Sequence, residues 1–442
     1  MSNGSDVPGF ETLLGEHSRA VRDRPFQVLL LANLTSPLGP ALVSPLLDTL
    51  TGVYGVSEAE IGLMIAAYTA PGIVVIPVVG VLADRYGRKP LLAAGLLLFG
   101  CAGTALALTT DFRVVLALRV LQGIGGAAIV PVIITSVGDL YVGAVEATAQ
   151  GLRLSTSGLT QAVFPAIAGV LVVASWQYPL ALYAIAIPIA VVVFVRLDEP
   201  RGARADGGRA APPGDREDTG REATPDTGGR DDREPDGSAR ALLRLAARPR
   251  VLAVLAGRGV PGFCYFGFIT YNSIVVVRVL GGTPAEAGLL VTLGSVSYAV
   301  SASQAGRITA RFRSRRPPMI GMFLALGVGL GAVAVAPSVR LGGIGVVVLG
   351  VGVGTLGSFY RSIVTGIAPE ALRGGLVSLS ESVGRVGITV VPVVMGVLVA
   401  WLTPEVGLAS AVRLTLVAVG VVGASAGIGS VLLGNVDPRG SG

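Results

Sequence analysis

Apolar runs of about twenty residues alternate along the chain with short polar connections, and one longer polar stretch divides the runs into two sets. The first set covers approximately 26–48, 59–82, 90–109, 113–138, 150–175 and 179–197. The second covers 251–277, 286–306, 319–337, 341–366, 375–401 and 408–433. Each run is long enough to cross a hydrocarbon layer of about 30 Å as a helix rising 1.5 Å per residue. Pro37, Pro40 and Pro45 interrupt the first run, which helices in lipid tolerate when neighbours satisfy the freed carbonyls. The pattern predicts an all-α membrane protein with 12 transmembrane helices in two pseudo-symmetric six-helix bundles.

Composition excludes the soluble alternative. Hydrophobic residues make up 52% of the 442 and charged residues only 14%, too little polar surface to solvate a globule of this size. The net charge of +6 comes from bases in the short connections, so nucleic acid is not the expected partner. Lys89 is the only lysine. Cys101 and Cys264 lie inside apolar runs and are expected to be lipid- or core-facing thiols, and His17 stands alone in the N-terminal arm, so no metal site or cofactor is expected. The first 25 residues lack a signal-peptide core, and the first helix is expected to stay in the mature protein.

The predicted organisation follows the polar stretches: a cytoplasmic arm over 1–25, a bundle over 26–197, a linker over 198–249, a bundle over 250–434 and a tail over 435–442. Residues 198–239 are rich in Asp, Glu, Arg, Gly and Pro and cannot bury a core, so disorder is expected there. Arg240, Arg244 and Arg248 then recur at every fourth position beside Leu242, Leu243 and Leu245. That spacing suits a short amphipathic helix, either on an anionic leaflet or as a solvated lead-in to the seventh span. Arg85, Arg88 and Lys89 mark one loop as cytoplasmic, and Arg307, Arg311, Arg313, Arg315 and Arg316 mark another. With an even number of spans, both termini then lie inside, in the plasma membrane.

The two halves repeat. A shift of 226 residues carries Ser57-Glu58-Ala59-Glu60-Ile61-Gly62-Leu63 onto Thr283-Pro284-Ala285-Glu286-Ala287-Gly288-Leu289, and Gly80 onto Gly306. A shift of 227 carries Pro165 and Gly169 onto Pro392 and Gly396. Span two thus pairs with span eight, and span five with span eleven, as for bundles related by an axis along the membrane normal.

The connection Gly80–Pro90 holds Asp84, Arg85, Gly87, Arg88 and Lys89. Its glycines allow helix ends to approach, and Asp84 can accept donors at a helix N-terminus. It is either a charged latch at a helix crossing or a topology signal alone. Together with Arg119-Val-Leu-Gln122-Gly123-Ile-Gly125, this stretch resembles the signature loop and fourth-span motif of the major facilitator superfamily. Gly306–Arg316 resembles the degenerate second copy of that loop. Gly158, Pro165 and Gly169 are similar to the glycine–proline motif of its antiporter branch, with Phe164 and Ala168 where glycine is usual. The resemblance implies the 12-span fold, alternating access, and a latch in which Asp84 caps span eleven near Gly374 and Gly375 while Arg88 pairs with Asp139. It also implies a role for Arg119 near a proton-coupling site, against which stands snorkelling to the outer surface.

Glu381 and Arg385 are four apart in span eleven and share a face. Glu381 is the acid placed clearly inside a span, with Asp48 and Asp139 borderline. A carboxylate there either loads and unloads a proton or forms a static ion pair with Arg385. Proton-coupling candidates are therefore Glu381, Arg385, Arg119 and Asp48. Arg258 and Arg361 are expected as snorkelling or gate residues. By family analogy spans one, four, seven and ten line the cavity, with candidates Asn33, Gln122, Tyr265, Tyr271, Asn272 and Tyr360. That set carries no charged clamp and leans toward neutral or amphipathic solutes.

The expected function is secondary transport of a small molecule, proton-coupled and exporting, by a monomer in contact with lipid. Proton-driven uptake or facilitated diffusion of a metabolite is the first alternative. A non-transporting membrane sensor or scaffold is another. No P-loop or HExxH occurs, which sets an enzyme aside.

Overall fold

The computed structural model describes residues 23–141, 143–198, 235–312, 314–367 and 372–434. The arm up to residue 22, the linker over 199–234 and the tail from 435 lie outside the described residues. Among those described, 12 helices are long and apolar enough to cross a membrane. They are spans one to twelve: Arg24–Tyr54, Leu63–Gly80, Arg88–Leu108, Phe112–Leu140, Thr148–Ala174, Gln177–Arg196, Pro249–Val279, Pro284–Ile308, Arg316–Val335, Val339–Ile367, Gly375–Val406 and Leu408–Gly434.

Span one extends to Tyr54 rather than ending near 48, as a series of short helical pieces: Arg24–Asn33, Leu38–Val43, a tight turn at Ser44–Leu46, and Leu47–Tyr54. Pro37, Pro40 and Pro45 supply no backbone N–H, so the α-helical ladder cannot run through. Span seven ends in a π-helical turn, Val275–Val279, that carries Arg278. A turn at Gly87, with φ of 92°, separates helix Pro71–Tyr86 from helix Arg88–Ala105. Only a residue without Cβ enters that region freely.

Within the first bundle span three packs on spans four and six; within the second, span nine packs on spans ten and twelve. The bundles meet along two seams, span five against span eight and span two against span eleven. The repeated residues build both. A Cβ on Gly288 would lie 2.2 Å from the Pro165 carbonyl oxygen, and one on Gly169 would lie 2.5 Å from that of Pro284. On the other seam, a Cβ on Gly396 would lie 2.5 Å from the Ala59 oxygen, and one on Gly62 3.3 Å from that of Pro392. Backbone meets backbone at those points, which side chains forbid.

The same end carries a matched pair of capping boxes. Glu60 accepts from the Ser57 N–H at 3.0 Å and hydroxyl at 2.7 Å; Glu286 accepts from the Thr283 N–H at 2.8 Å and hydroxyl at 3.1 Å. Glu286 closes a reciprocal box on the first turn of its helix, and Glu60 does so on the turns that lead into helix Leu63–Thr69. The two hydrogen bonds from Ser57 hold the Glu60 carboxyl below the ordinary glutamate value. The short loops rich in arginine lie at the opposite end of the bundles, called the basic end below.

The linker helix spans Pro235–Ala246. It turns Leu242 and the buried Leu245 toward the protein, near spans seven and eleven, and leaves Leu243 and the Arg240 and Arg244 side chains exposed.

Candidate functional site

A cavity of about 290 Å³ lies between the bundles, lined from spans one, two, four, seven and eleven. Its walls include Tyr68, Gly126, Phe266, Arg258, Glu381 and Arg385. Arg385 stands about 15 Å along span eleven from Gly375 at 1.5 Å per residue, near mid-depth. A second cavity of about 180 Å³ shares Arg258, Gly262 and Phe266 with the first and adds Tyr265, Tyr298 and Arg361.

Glu381 is the acid in these walls. Its carboxylate accepts from Arg258 Nη2 at 3.0 Å, so it is tied across to span seven rather than to Arg385 on its own helix. The expected pair with Arg385 is corrected to that extent. Two side chains four apart on one face of a helix can both point into the cavity without meeting, and Arg258 offers the nearer guanidinium. The Glu381 side chain is half exposed, which opens it to the cavity interior. Arg258 and Arg361, expected as snorkelling or gate residues, line the inter-bundle cavities.

Arg385 reaches in the opposite direction. A Cβ on Gly72 would lie 2.6 Å from its Nη1, so the guanidinium crosses to span two and rests beside Gly72. Tyr68, one turn earlier in the same span, shares this wall and carries Arg119 on its ring at 4.7 Å.

Arg119 is fully buried. Its Nε donates to the Met64 carbonyl at 2.9 Å, Nη1 to Gln122 Oε1 at 2.6 Å, and Nη2 to the Gly39 carbonyl at 3.3 Å. Tyr183 donates to the same Gly39 carbonyl at 2.8 Å. This network ties span four to spans one, two and six. The snorkelling alternative does not describe it, because acceptors are supplied at depth and the side chain does not travel to the surface.

Asp48 lies at the end opposite the basic loops, where Arg278 Nε donates to its Oδ1 at 2.7 Å, bundle to bundle. The Ser273 hydroxyl donates to the Pro45 carbonyl at 2.8 Å, the Tyr271 hydroxyl to that of Glu58 at 3.2 Å, and the Ser44 hydroxyl to that of Ile269. These polar contacts close that end across spans one, two and seven.

The remaining cavity candidates do not line the two cavities described, apart from Tyr265, which holds Ser295 at 3.1 Å. Asn33 is buried and donates to the Arg153 carbonyl and Ser157; Gln122 serves Arg119. Asn272 donates to the Ala287 carbonyl, and Tyr360 pairs with Ser430. These contacts join neighbouring helices, while Asn33 Oδ1, Gln122 Nε2 and Asn272 Oδ1 are buried without a hydrogen-bond partner. Tyr68 was not among the sequence candidates. The signal that could have found it is the glycine cluster of span four, because its ring sits over Gly126 and Gly39.

At the basic end, Arg88 and Asp139 form an ion pair between spans three and four. Asp84 and Arg85 lie on helix Pro71–Tyr86, which also carries Gly80. The side chain of Asp84 lies outside the described residues, as does Gly374 beyond its place in helix Arg373–Val406. Gly375 is covered by the linker helix: a Cβ there would meet Leu242 at 2.8 Å.

The family model described as Major Facilitator Superfamily matches residues 29–281 and 262–442. The chain belongs to that superfamily. With its 12 candidate spans among the described residues it is a multi-pass membrane protein of a transporter superfamily. The bacillibactin exporter of Bacillus subtilis (strain 168) is 34% identical over 151 residues, covering 33% of this chain and 37% of that protein. Multidrug transporter protein MdtP of the same organism is 26% identical over 168 residues, covering 38% and 30%. The quinolone resistance protein NorA of Staphylococcus aureus is 29% identical over 103 residues, covering 23% and 26%. The chain thus spans about a third of the length of the curated relatives it matches. The fold is that of an inward-facing bacterial homologue of the lysosomal transporter Spinster, with a TM-score of 0.75 at 17% identity over 96% of this chain and 99% of the other. The D-xylose-proton symporter scores 0.67 at 15% identity over 92% and 97%.

Proposed function

We propose that this superfamily member is a secondary active exporter of small neutral or amphipathic solutes, coupled to protons and working by alternating access as a monomer in the plasma membrane. The observation that carries this reading is the pairing of one sealed end with a polar cavity at mid-depth. Two seams of like geometry and the Asp48–Arg278 pair shut the far end, while Glu381 stays half exposed in the cavity behind them. The basic loops put the opposite end on the cytoplasmic side by the positive-inside rule. In this reading the structure is the inward-accessible state, both termini are cytoplasmic, and the bundles cover 26–197 and 250–434 on either side of the 198–249 linker.

Glu381 is the proton carrier of this reading. A carboxylate bound to Arg258 in one state can be protonated once that partner is drawn away. The export direction rests on relatives named as a bacillibactin exporter, a multidrug transporter and a quinolone resistance protein. The fold it shares with a D-xylose-proton symporter supports proton-driven uptake as the second reading. When the inner side shuts, Gly80, Asp84, Arg85, Gly87 and Arg88 form the latch, Asp84 meeting the start of span eleven at Gly374 and Gly375. Asp139 holds Arg88 in place for that contact.

Flux in proteoliposomes tests this. An imposed proton gradient is expected to accelerate solute movement against the proton flow, and Glu381→Gln to remove the dependence on the gradient. Solute moving with the protons would establish uptake, and Glu381→Gln with an unchanged response to pH would remove Glu381 from coupling. Asp84→Asn at equal membrane level is expected to slow transport without impairing insertion.

A further inference from the structure

The charge in the inter-bundle walls is lopsided. Arg258 and Arg385 face a single carboxylate, Glu381, in the first cavity, and Arg361 joins Arg258 in the second. Glu381 is committed to Arg258 at 3.0 Å. Arg385 is a cationic side chain about a third of the way along span eleven, and its guanidinium is given no hydrogen bond or ion pair by the described residues. Arg258 Nε is likewise buried without an acceptor. Guanidinium groups in such places are costly unless an anion or acceptor meets them. Arg119 shows how the same chain meets that cost where the arginine is structural: its donors are spent on carbonyls and Gln122. The wall around Arg385 holds the hydroxyls of Ser36 and Thr69 but gives its guanidinium no such bond. It supplies Tyr68 and Phe266, two ring faces on opposite bundles, and the small residues Gly123, Gly126, Ala127 and Gly262.

We propose that this cavity binds an amphipathic organic anion, its acidic group held by Arg385 and Arg258 and its flat apolar part laid between Tyr68 and Phe266. The proposal deepens the transport reading and rests on it. Arginine presents a planar fork that carboxylate, sulfonate or phosphate can meet with two hydrogen bonds. Because Arg385 springs from the second bundle and rests beside Gly72 of the first, an anion on it touches both bundles at once. It also competes with Glu381 for Arg258, so a bound anion leaves that carboxylate free to take a proton. The groups facing Glu381 are Arg258 on span seven, Arg385 on its own span and Tyr68 on span two. The combined volume of about 290 and 180 Å³ falls in the range of pockets for drug-sized ligands.

Three probes of one shape separate the possibilities: naphthalene-2-sulfonate, naphthalene-2-carboxamide and a 2-naphthylmethyl trimethylammonium salt. Binding to the purified full chain is measured by calorimetry. The sulfonate is expected to bind about tenfold or more tighter than the other two, the worth of one charge-assisted hydrogen bond. Arg385→Gln is expected to erase that preference with the ligand-free unfolding midpoint unchanged, and Arg385→Lys to keep part of it. Preference for the cation, absence of sulfonate binding up to about 1 mM, or sulfonate binding indifferent to both Arg385→Gln and Arg258→Gln overturns the proposal. Flux of the same probes in proteoliposomes keeps the two readings apart. If the amide or the cation is carried and the sulfonate is not, the anion site falls while transport stands. If a bound sulfonate never crosses under any gradient, transport falls while the anion site stands.

Discussion

The sealed end and the central cavity handle polar groups in opposite ways. At the sealed end, the groups that cross between bundles find partners: Asp48 meets Arg278, Ser273 meets Pro45, and Tyr271 meets Glu58. Helix backbones touch there through glycine on both seams. In the cavity, Arg385 crosses between the same two bundles to rest beside a glycine with no acceptor. The difference teaches which contacts complete the fold and which await a solute. A closed end must be stable enough to persist and weak enough to open, so its contacts are many and individually modest. A binding site must leave donors unspent, because a donor already bonded to the protein has little to offer a ligand.

The comparison breaks most visibly at Arg119. Arg119→Met strips partners from buried carbonyls and Gln122, and by analogy with other buried networks it should cost about 3–5 kcal/mol. The outcome expected is a much lower unfolding midpoint in detergent with loss of transport. Arg385→Met should leave the midpoint nearly where it was. Equal losses from the two would erase the distinction between spent and unspent arginines.

Gly288→Val attacks the seam. Its side chain would run into the Pro165 carbonyl, so the sealed end should open and labels on the tips of spans five and eight at that end should move apart in electron–electron resonance. Gly396→Val should do the same at the opposite seam. If only one of the two seams responds, the pseudo-twofold relation of the seams fails as an energetic statement.

Asp48→Asn should act more gently. The pair is part-exposed on its Arg278 side, and such pairs are worth at most about 1 kcal/mol. A several-fold shift toward the open far end is expected, read by the same labels; a complete shift would make this pair the dominant lock.

The smallest effect is expected at Glu60. Hydrogen bonds from Ser57 hold its carboxyl below the ordinary range. Its contribution is therefore present above the unfolded-state value and is lost as pH falls through the lower folded-state value. Glu60→Gln should flatten the acid edge of stability slightly, and Glu286→Gln is the control in the second bundle. A steepening instead would mean that the cap does not stabilise the charged form.

Much of this molecule was written plainly in the order of its residues. Runs of about twenty apolar residues fix the spans, because lipid leaves the backbone no partner but itself. The repeat at 226 and 227 marked Gly62, Gly288, Pro165, Gly169, Pro392 and Gly396, and these are the residues that meet on the two seams. What the sequence could not settle was partnership. Glu381 and Arg385 share a helix face at a spacing of four, yet Glu381 is bound to Arg258, which is 123 residues distant in the chain. Arg119 and Arg385 look alike as isolated arginines in apolar runs, and only the packing of spans one, two and six around the first separates them. Tyr68 gained its place in the cavity wall because glycines on two other spans leave room for its ring. Hydrophobic length is a property of one segment and can be read from it, whereas the satisfaction of a buried charge depends on acceptors brought by other segments, and only the assembled bundles decide where those stand.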